Sequence, residues 1–373
     1  MAQGLTTAKR RIARWFRHLP GWSKVVAAAA CSVAVLFGAV MALSAAAVRL
    51  EEPVFVLGAA VNATGAPSEG AASAPEDDRS TRPETAPTAL DAATGAAEVN
   101  LFEAAGSQRV LDAGEIPDVA AALAAFGDAG WEAGFVVYDF KAERGLGYNA
   151  DVSIFSASTV KAPYVAYVAQ EFLDSGRAQL ADEVFEDAVQ EGTGIMAFDQ
   201  VDTYDLGTVL SNTIVHSDNT GYALLRENYS EGFEAWAASA GVDAAAWQGE
   251  WYPFYTPRDL AKLWLSVGGY LKSGSANASL SEGLLSQTGT SFIRQTLGGG
   301  YRVLAKPGYE IDTPRFNMGA LNDAGIVRGP SGDYLIAVMS DADYDDEYFT
   351  DNEPLIKNLI AALAAAHDRL LAA

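Results

Sequence analysis

Read for the spacing of its apolar positions, the chain falls into blocks of different period. Ile116 to Phe126 carries Ala-rich helical spacing. Gly134-Phe-Val-Val-Tyr-Asp-Phe140 is a run of β-branched and aromatic residues, Glu143-Arg-Gly145 supplies a turn, and a second strand is expected near Leu146–Ala150. Helical spacing resumes at Val160–Phe172 and dominates from about 175 to 290. Helices are expected there over Val201–Ser211, Gly221–Asn228, Phe233–Ala240, Arg258–Tyr270 and Ser281–Gln287. Strand patterns return at Tyr301–Lys306, Phe316–Leu321, Ile326–Arg328 and Tyr334–Ser340, and an amphipathic helix is expected over Glu353–Leu371. Strands, then helices, then strands and a last helix predict an α+β fold. Its simplest form is one antiparallel sheet built from both ends of the domain, with flanking helices and an inserted all-α subdomain. No internal repeat is visible.

Ahead of residue 107 the pattern is different. Residues 51–100 are rich in Ala, Pro, Thr, Gly, Ser and acidic side chains without any hydrophobic period. Such a composition buries too little apolar area to offset ordering entropy, so it reads as a flexible acidic tether. Before it, Val25–Val48 is an apolar run of 24 residues without a charge. At 1.5 Å per residue that is enough for a hydrocarbon layer of roughly 30 Å. Lys9, Arg10, Arg11, Arg14, Arg17 and Lys24 precede it, and Glu51-Glu52 follow it. This asymmetry places the N-terminus in the cytoplasm and the rest outside a bacterial cell membrane crossed once. The run is longer than a usual signal core, which favours an uncleaved anchor; a signal peptide cut near Ser44–Ala47 is the competing reading. The expected organisation is a basic segment (1–24), a transmembrane signal-anchor (25–48), a disordered linker (49–106) and a folded domain (107–373).

Composition narrows the chemistry. A formal charge of −23 argues against nucleic acid as a partner. The single cysteine, Cys31, lies inside the apolar run, so the external part has no disulfide and no thiolate. Histidine occurs only at 18, 216 and 367, no Gly-x-Ser-x-Gly elbow occurs, and no Gly-x-x-x-x-Gly-Lys loop occurs. A serine–histidine–acid hydrolase, a transition-metal centre and a nucleotide loop are thereby disfavoured, and no cofactor is expected. An exported nucleophilic enzyme then needs a base other than histidine.

Phe155-Ser-Ala-Ser-Thr-Val-Lys-Ala-Pro-Tyr164 offers one. Ser158 is expected at or just inside a helix N-terminus, and Lys161, one turn on, shares its face. A buried lysine loses its proton near neutral pH and can act as the base. Alone the pair is a common surface pattern. Ser217-Asp218-Asn219 reads equally as a helix cap, and Lys306-Pro307-Gly308 as a strand-ending turn.

Taken in order, these three resemble the S-x-x-K, S-D-N and K-T-G signatures of the serine β-lactamase and penicillin-binding superfamily, and are most similar to its class A β-lactamases. Thr256-Pro-Arg-Asp-Leu260 resembles the family's helix start, and Asn322-Asp323 with Gly325–Arg328 its closing hairpin. The resemblance covers about residues 107–373. It implies that Ser158 attacks a carbonyl and carries the acyl group, and that Lys161 takes its proton or shares that task through a water. It implies further that Ser217 passes a proton to the leaving nitrogen, while Asn219 holds Lys161 and a substrate amide. Lys306 would attract a substrate carboxylate, and the N–H groups of Ser158 and Tyr309, next to Gly308, would form the oxyanion hole. The implied substrate is a β-lactam or a peptidoglycan peptide.

Two departures stand out. Proline replaces the hydroxyl residue of the third signature, which is tolerable only on an edge strand whose N–H faces away from the ladder. The family's loop glutamate, in E-x-x-L-N, is missing; the corresponding stretch is Ala246-Trp-Gln-Gly-Glu-Trp-Tyr-Pro-Phe-Tyr255, with Glu250 its only carboxylate. Three functions stay open: a slow-releasing acyl-enzyme hydrolase or transferase, an efficient β-lactamase with Glu250 as the deacylation base, and a catalytically silent wall-peptide or protein-binding domain.

Overall fold

The computed structural model describes residues 89–187, 189–312, 318–344 and 351–372. The apolar run at 25–48 and the tether as far as residue 88 lie outside the described residues. Among the described residues no helix is long and apolar enough to cross a membrane.

The elements run β1 (Asn100–Glu103), β2 (Gln108–Val110), α1 (Pro117–Ala129), β3 (Ala133–Asp139), β4 (Arg144–Tyr148) and β5 (Ile154–Phe155). There follow α2 (Lys161–Val168), β6 (Glu183–Phe185), β7 (Thr203–Asp205), α3 (Leu206–Val215), α4 (Asn219–Asn228), α5 (Phe233–Ser239) and β8 (Phe254–Tyr255). The chain continues with α6 (Pro257–Leu271), α7 (Ala276–Leu285), α8 (Phe292–Leu297), β9 (Arg302–Glu310), β10 (Ala320–Gly329), β11 (Gly332–Ser340) and α9 (Glu353–Ala366).

One seven-stranded sheet of order β2-β1-β4-β3-β11-β10-β9 organises them, and every neighbouring pair is antiparallel. Its centre joins β3 to β11, so the two ends of the sequence meet there as expected. Alternation along β3 sends Phe135 and Val137 into one core with α1, α8 and α9. Val136 and Tyr138 face the other core, with α2 and α6. The strand is buried on both faces, which explains why its sequence is apolar almost throughout. Thr256 opens α6 with a complete capping box: its Oγ1 accepts from Asp259 N at 3.0 Å, and the Asp259 carboxylate returns to Thr256 N. His367, fully buried, ties the C-terminal end to the sheet, its Nε2 2.8 Å from Asp139 Oδ2 and its ring stacked on Tyr334.

Three expectations are corrected. The folded part begins ahead of residue 107: Leu90 and Phe102 are fully buried, and β1 pairs with both β2 and β4. Two strands of four and three residues were too short to show a period against an Ala- and Gly-rich background. The insertion between β4 and β9 is not all-α, since it holds the small ladders β5–β8 and β6–β7. In particular, the start of the helix expected over Val201–Ser211 is strand β7, whose last residue Asp205 caps α3 by accepting from Thr208 N at 2.8 Å. Finally, Ile326–Arg328 is not a separate strand but the end of β10; of the strand expected over 316–321, residues 316 and 317 lie outside the described residues.

Candidate active site

The turn that carries Ser158 is held from two sides. Phe155 pairs with Phe254 of β8, and Ser156 N donates to Pro253 O at 2.9 Å. From the sheet, Asn322 on β10 donates through Nδ2 to Phe155 O at 2.9 Å and accepts from Ser340 N at 3.1 Å. Ala157–Val160 then form a single 3₁₀ turn that runs into α2. Side chains three apart eclipse one another in such a turn, so Ser158 lies over Lys161, the first residue of α2. Ala157 has φ +44° and Ser217 φ +54°, left-handed conformations that cost a residue with a Cβ roughly 1–2 kcal/mol. Local strain of this kind persists only where the surroundings over-determine the backbone. Ser158 opens onto a cleft, and its hydroxyl has no hydrogen-bond partner among the described residues.

Lys161 is fully buried, and its Nζ lies 2.6 Å from both Ser217 O and Asn219 Oδ1. The rings of Tyr222 and Tyr252 stand 5.8 and 5.6 Å from the same nitrogen. Burial pushes its pKa well below the ordinary lysine value, the nearby Lys306 ammonium pushes the same way, and Asp218 opposes them more weakly. Asp218 itself is a structural carboxylate. It caps α4 by accepting from Gly221 N at 3.0 Å, and its other oxygen accepts from Ile195 N and Met196 N at 2.6 and 2.8 Å.

Lys306 approaches from the edge strand β9, donating to Ser217 Oγ at 2.8 Å and to Pro307 O at 3.1 Å. Burial lowers its pKa to about 7, against an opposing pull from Asp323. Asp323, directly across the ladder from Pro307, is pushed up to about 6 by burial although it accepts from Ser291 Oγ and Ile293 N, each at 2.9 Å. Because β9 is the sheet edge, Pro307 has a ladder on one side only, as its missing N–H requires. Gly308 is a matter of space: a Cβ there would stand 2.7–2.8 Å from Ser156 O, Thr159 N and Ser158 N. Only a glycine lets the strand lie against the Ser158 turn.

The cleft has two lobes. One, of about 780 Å³, is lined by Ser158, Asn219, Tyr252, Tyr309, Met318 and Tyr344 among others. The second, of about 350 Å³, contains Ser217, Lys306, Pro307, His216 and Thr290. The structure thus gathers Ser158, Lys161, Ser217, Asn219, Lys306, Gly308 and Tyr309 around one opening. Glu250 lines the same cleft as Ser158, but its side chain is exposed and no hydrogen bond or ion pair joins it to these residues. The aromatic Tyr252 stands beside Lys161 instead, donating to Asn219 Oδ1 at 3.1 Å.

Two contributors were passed over in the sequence. Thr193 donates to Ser217 O at 2.7 Å and lies 3.2 Å from Asn219 Oδ1; its flanking glycines, Gly192 and Gly194, were the available signal. Asp323 was legible only as part of a hairpin, because nothing local reveals that its charge acts on Lys306 from the neighbouring strand.

Residues 117–370 match the model of a family described as the beta-lactamase enzyme family. No curated protein matches the chain. The fold is similar to that of a β-lactamase from Sphaerobacter thermophilus, at 22% identity and a TM-score of 0.57, covering 68% of this chain and 97% of that one. It is also similar to a β-lactamase from Burkholderia vietnamiensis, at 20% identity and a TM-score of 0.56, covering 70% and 98%. A third similar structure is a point mutant of PBP-A seen as an acyl-enzyme complex with penicillin G, at 21% identity and a TM-score of 0.56, covering 68% and 97%.

Proposed function

Since the chain belongs to the beta-lactamase enzyme family and is a serine hydrolase of that type, we propose that it forms a covalent acyl-enzyme at Ser158 on β-lactams or cell-wall peptides and releases the acyl group slowly. The observation that carries this reading is the buried Lys161, its pKa pushed well below the ordinary lysine value by burial and by Lys306, one 3₁₀ turn from a serine hydroxyl that has no hydrogen-bond partner among the described residues. Ser158 Oγ attacks the carbonyl carbon while its proton passes to Lys161 Nζ. The carbon–nitrogen bond then breaks, the leaving nitrogen takes the proton of Ser217, and Ser217 is reprotonated by the proton that Lys161 took from Ser158. Because the Ser217 oxygen accepts from Lys306, its own hydrogen stays free to be given. The N–H groups of Ser158 and Tyr309 receive the oxyanion, and removal of such a donor costs roughly 10²–10³ in rate. Lys306 attracts a substrate carboxylate.

Slow release rests on what stands next to Lys161. The Tyr252 hydroxyl, not a carboxylate, stands on Asn219 Oδ1 beside Lys161, and the one carboxylate of that loop, Glu250, is exposed at the cleft and bonds to none of these groups. We place the enzyme outside the cytoplasm, held by residues 25–48, from the charge asymmetry of the N-terminal sequence.

The test is intact-protein mass spectrometry of the full-length protein with a penicillin. A persistent adduct is expected, absent in Ser158→Ala, with little turnover of a chromogenic cephalosporin and no change in that turnover in Glu250→Gln. Fast turnover abolished by Glu250→Gln would replace this reading by an efficient β-lactamase, and the absence of any adduct would leave a binding domain.

Lys306 provides a pH signature. With its pKa at about 7 it is charged below neutrality, so acylation by an anionic substrate should weaken as pH rises through about 7. Asp323 opposes that downward shift, so Asp323→Asn should move the alkaline limb of second-order acylation to lower pH. A limb that stays in place would remove Asp323 from the account.

A further inference from the structure

Lys161 has two hydrogen-bond acceptors, and both are shared. Ser217 O accepts from Lys161 at 2.6 Å and from Thr193 Oγ1 at 2.7 Å. Asn219 Oδ1 accepts from Lys161 at 2.6 Å and from the Tyr252 hydroxyl at 3.1 Å, with Thr193 Oγ1 a further 3.2 Å contact. A carbonyl oxygen has two lone pairs. Ser217 O is therefore filled by one N–H of Lys161 and the Thr193 hydroxyl, and Asn219 Oδ1, with two hydroxyls competing beside Lys161, has no lone pair to spare.

A neutral amine presents two N–H donors and one lone pair, which matches this supply. An ammonium presents three donors. Its third N–H would fall to the Ser158 hydroxyl and oblige that oxygen to accept, the reverse of the donation that attack requires. The surroundings add little on the other side. The charged groups around Lys161 are the Lys306 ammonium on β9 and the Asp218 carboxylate at the start of α4, and the latter is spent on three backbone N–H groups. Tyr222 and Tyr252 present ring faces. The side chain of Glu191, on the Thr193 loop, is exposed.

The loop is built to deliver this hydroxyl. Gly192 and Gly194 take φ of +108° and +121°, and a Cβ on them would stand 2.7 Å from Asn219 Nδ2 and 2.3 Å from Asp218. Thr193 O accepts from Asn219 N at 2.9 Å, and Asn219 Nδ2 donates to Glu191 O at 2.9 Å. Gly-Thr-Gly thus lies directly on the Ser-Asp-Asn segment, with the threonine hydroxyl turned onto the oxygens that Lys161 uses.

We infer that Thr193, assisted by Tyr252, is a positioning residue that holds Lys161 in its neutral, proton-accepting form by occupying the second lone pair of each carbonyl the amine uses. It touches neither the reacting atoms nor the substrate carbonyl; it acts through the two oxygens. The inference rests on the role proposed above for Lys161, and its test has one readout that does not depend on that role.

In the full-length chain labelled with ¹³Cε-lysine, the Lys161 resonance, assigned by its loss in Lys161→Met, reports titration of the amine directly. In Thr193→Val and Tyr252→Phe the midpoint should rise by about one pH unit, and Thr193→Ser should restore the parent value. The acid limb of the acylation rate should move up by the same amount. Variants that keep the parent's circular dichroism and melting temperature, yet leave the Lys161 midpoint unmoved, would overturn the inference whatever their rates. A wild type that is never acylated would sink the proposed function while the titration still decides this point.

Discussion

Lys161→Met is expected to leave a folded protein that melts no lower than the parent and acylates roughly 10²–10⁴-fold more slowly, the range typical for removal of a general base. The two halves of this result have one cause. Lys161 is buried and carries no carboxylate partner among the described residues. A methionine of similar length fills the same space without the cost of an amine, and exchanges of buried charged groups for apolar ones are often neutral or stabilising by about 1–4 kcal/mol. The oxygens left behind keep donors, Thr193 on Ser217 O and Tyr252 on Asn219 Oδ1. The pH dependence has a definite sign. The folded pKa lies well below 10.5, so the native lysine costs stability at any pH where the unfolded one is charged. The advantage of methionine is therefore full below the folded pKa and fades as pH rises toward 10.5. Quench-flow acylation with a penicillin, beside thermal melts across pH, reads both. Acylation within tenfold of the parent would remove Lys161 as the base.

The second large effect is expected at Gly308. Alanine there sets a methyl group 2.7–2.8 Å from Ser156 O, Thr159 N and Ser158 N, all of them backbone atoms of the Ser158 turn. Neither side yields easily: the turn is pinned by Asn322 and Pro253, and β9 is laddered to β10 over nine residue pairs. The strand must move off the turn, which parts the Ser158 and Tyr309 N–H groups. Loss of one oxyanion donor slows acylation roughly 10²–10³-fold, and overpacking of this kind costs about 1–3 kcal/mol of stability. Rates measured at a temperature well below the lowered melting point separate the two contributions. Parent-like acylation by Gly308→Ala would show that the oxyanion is held elsewhere.

How much of this was legible in the sequence depends on the range of the interaction. The helices and the central strands could be read because each buries a continuous apolar stripe, as β3 does on both faces and α6 along its length. Ser158 and Lys161 needed one turn, and the other two signatures needed only local motifs. What stayed hidden was set by contacts between distant segments. Tyr252 reads as one aromatic among several in a short loop until it is seen donating to Asn219. Thr193 sits in a stretch without period, and Asp323 acquires meaning only from the charge of Lys306 on the neighbouring strand. The opening strand β1 was lost in a segment whose composition reads as tether, because four residues carry too little pattern to outweigh it.

The central pairing of the sheet has a consequence for the life of the chain. β3 is complete by Asp139, yet its neighbour β11 begins only at Gly332, and His367, which bonds Asp139, comes later still. The first half of the domain emerges with one edge of β3 paired to β4 and the other without its strand. Nearly two hundred residues of loop entropy must be overcome before the defining ladder closes, the situation in which folding is slow and late. An unpaired strand edge exposed for that long is an aggregation hazard. The Ser158 turn gains its brace from Asn322 of β10 only when the last strands arrive.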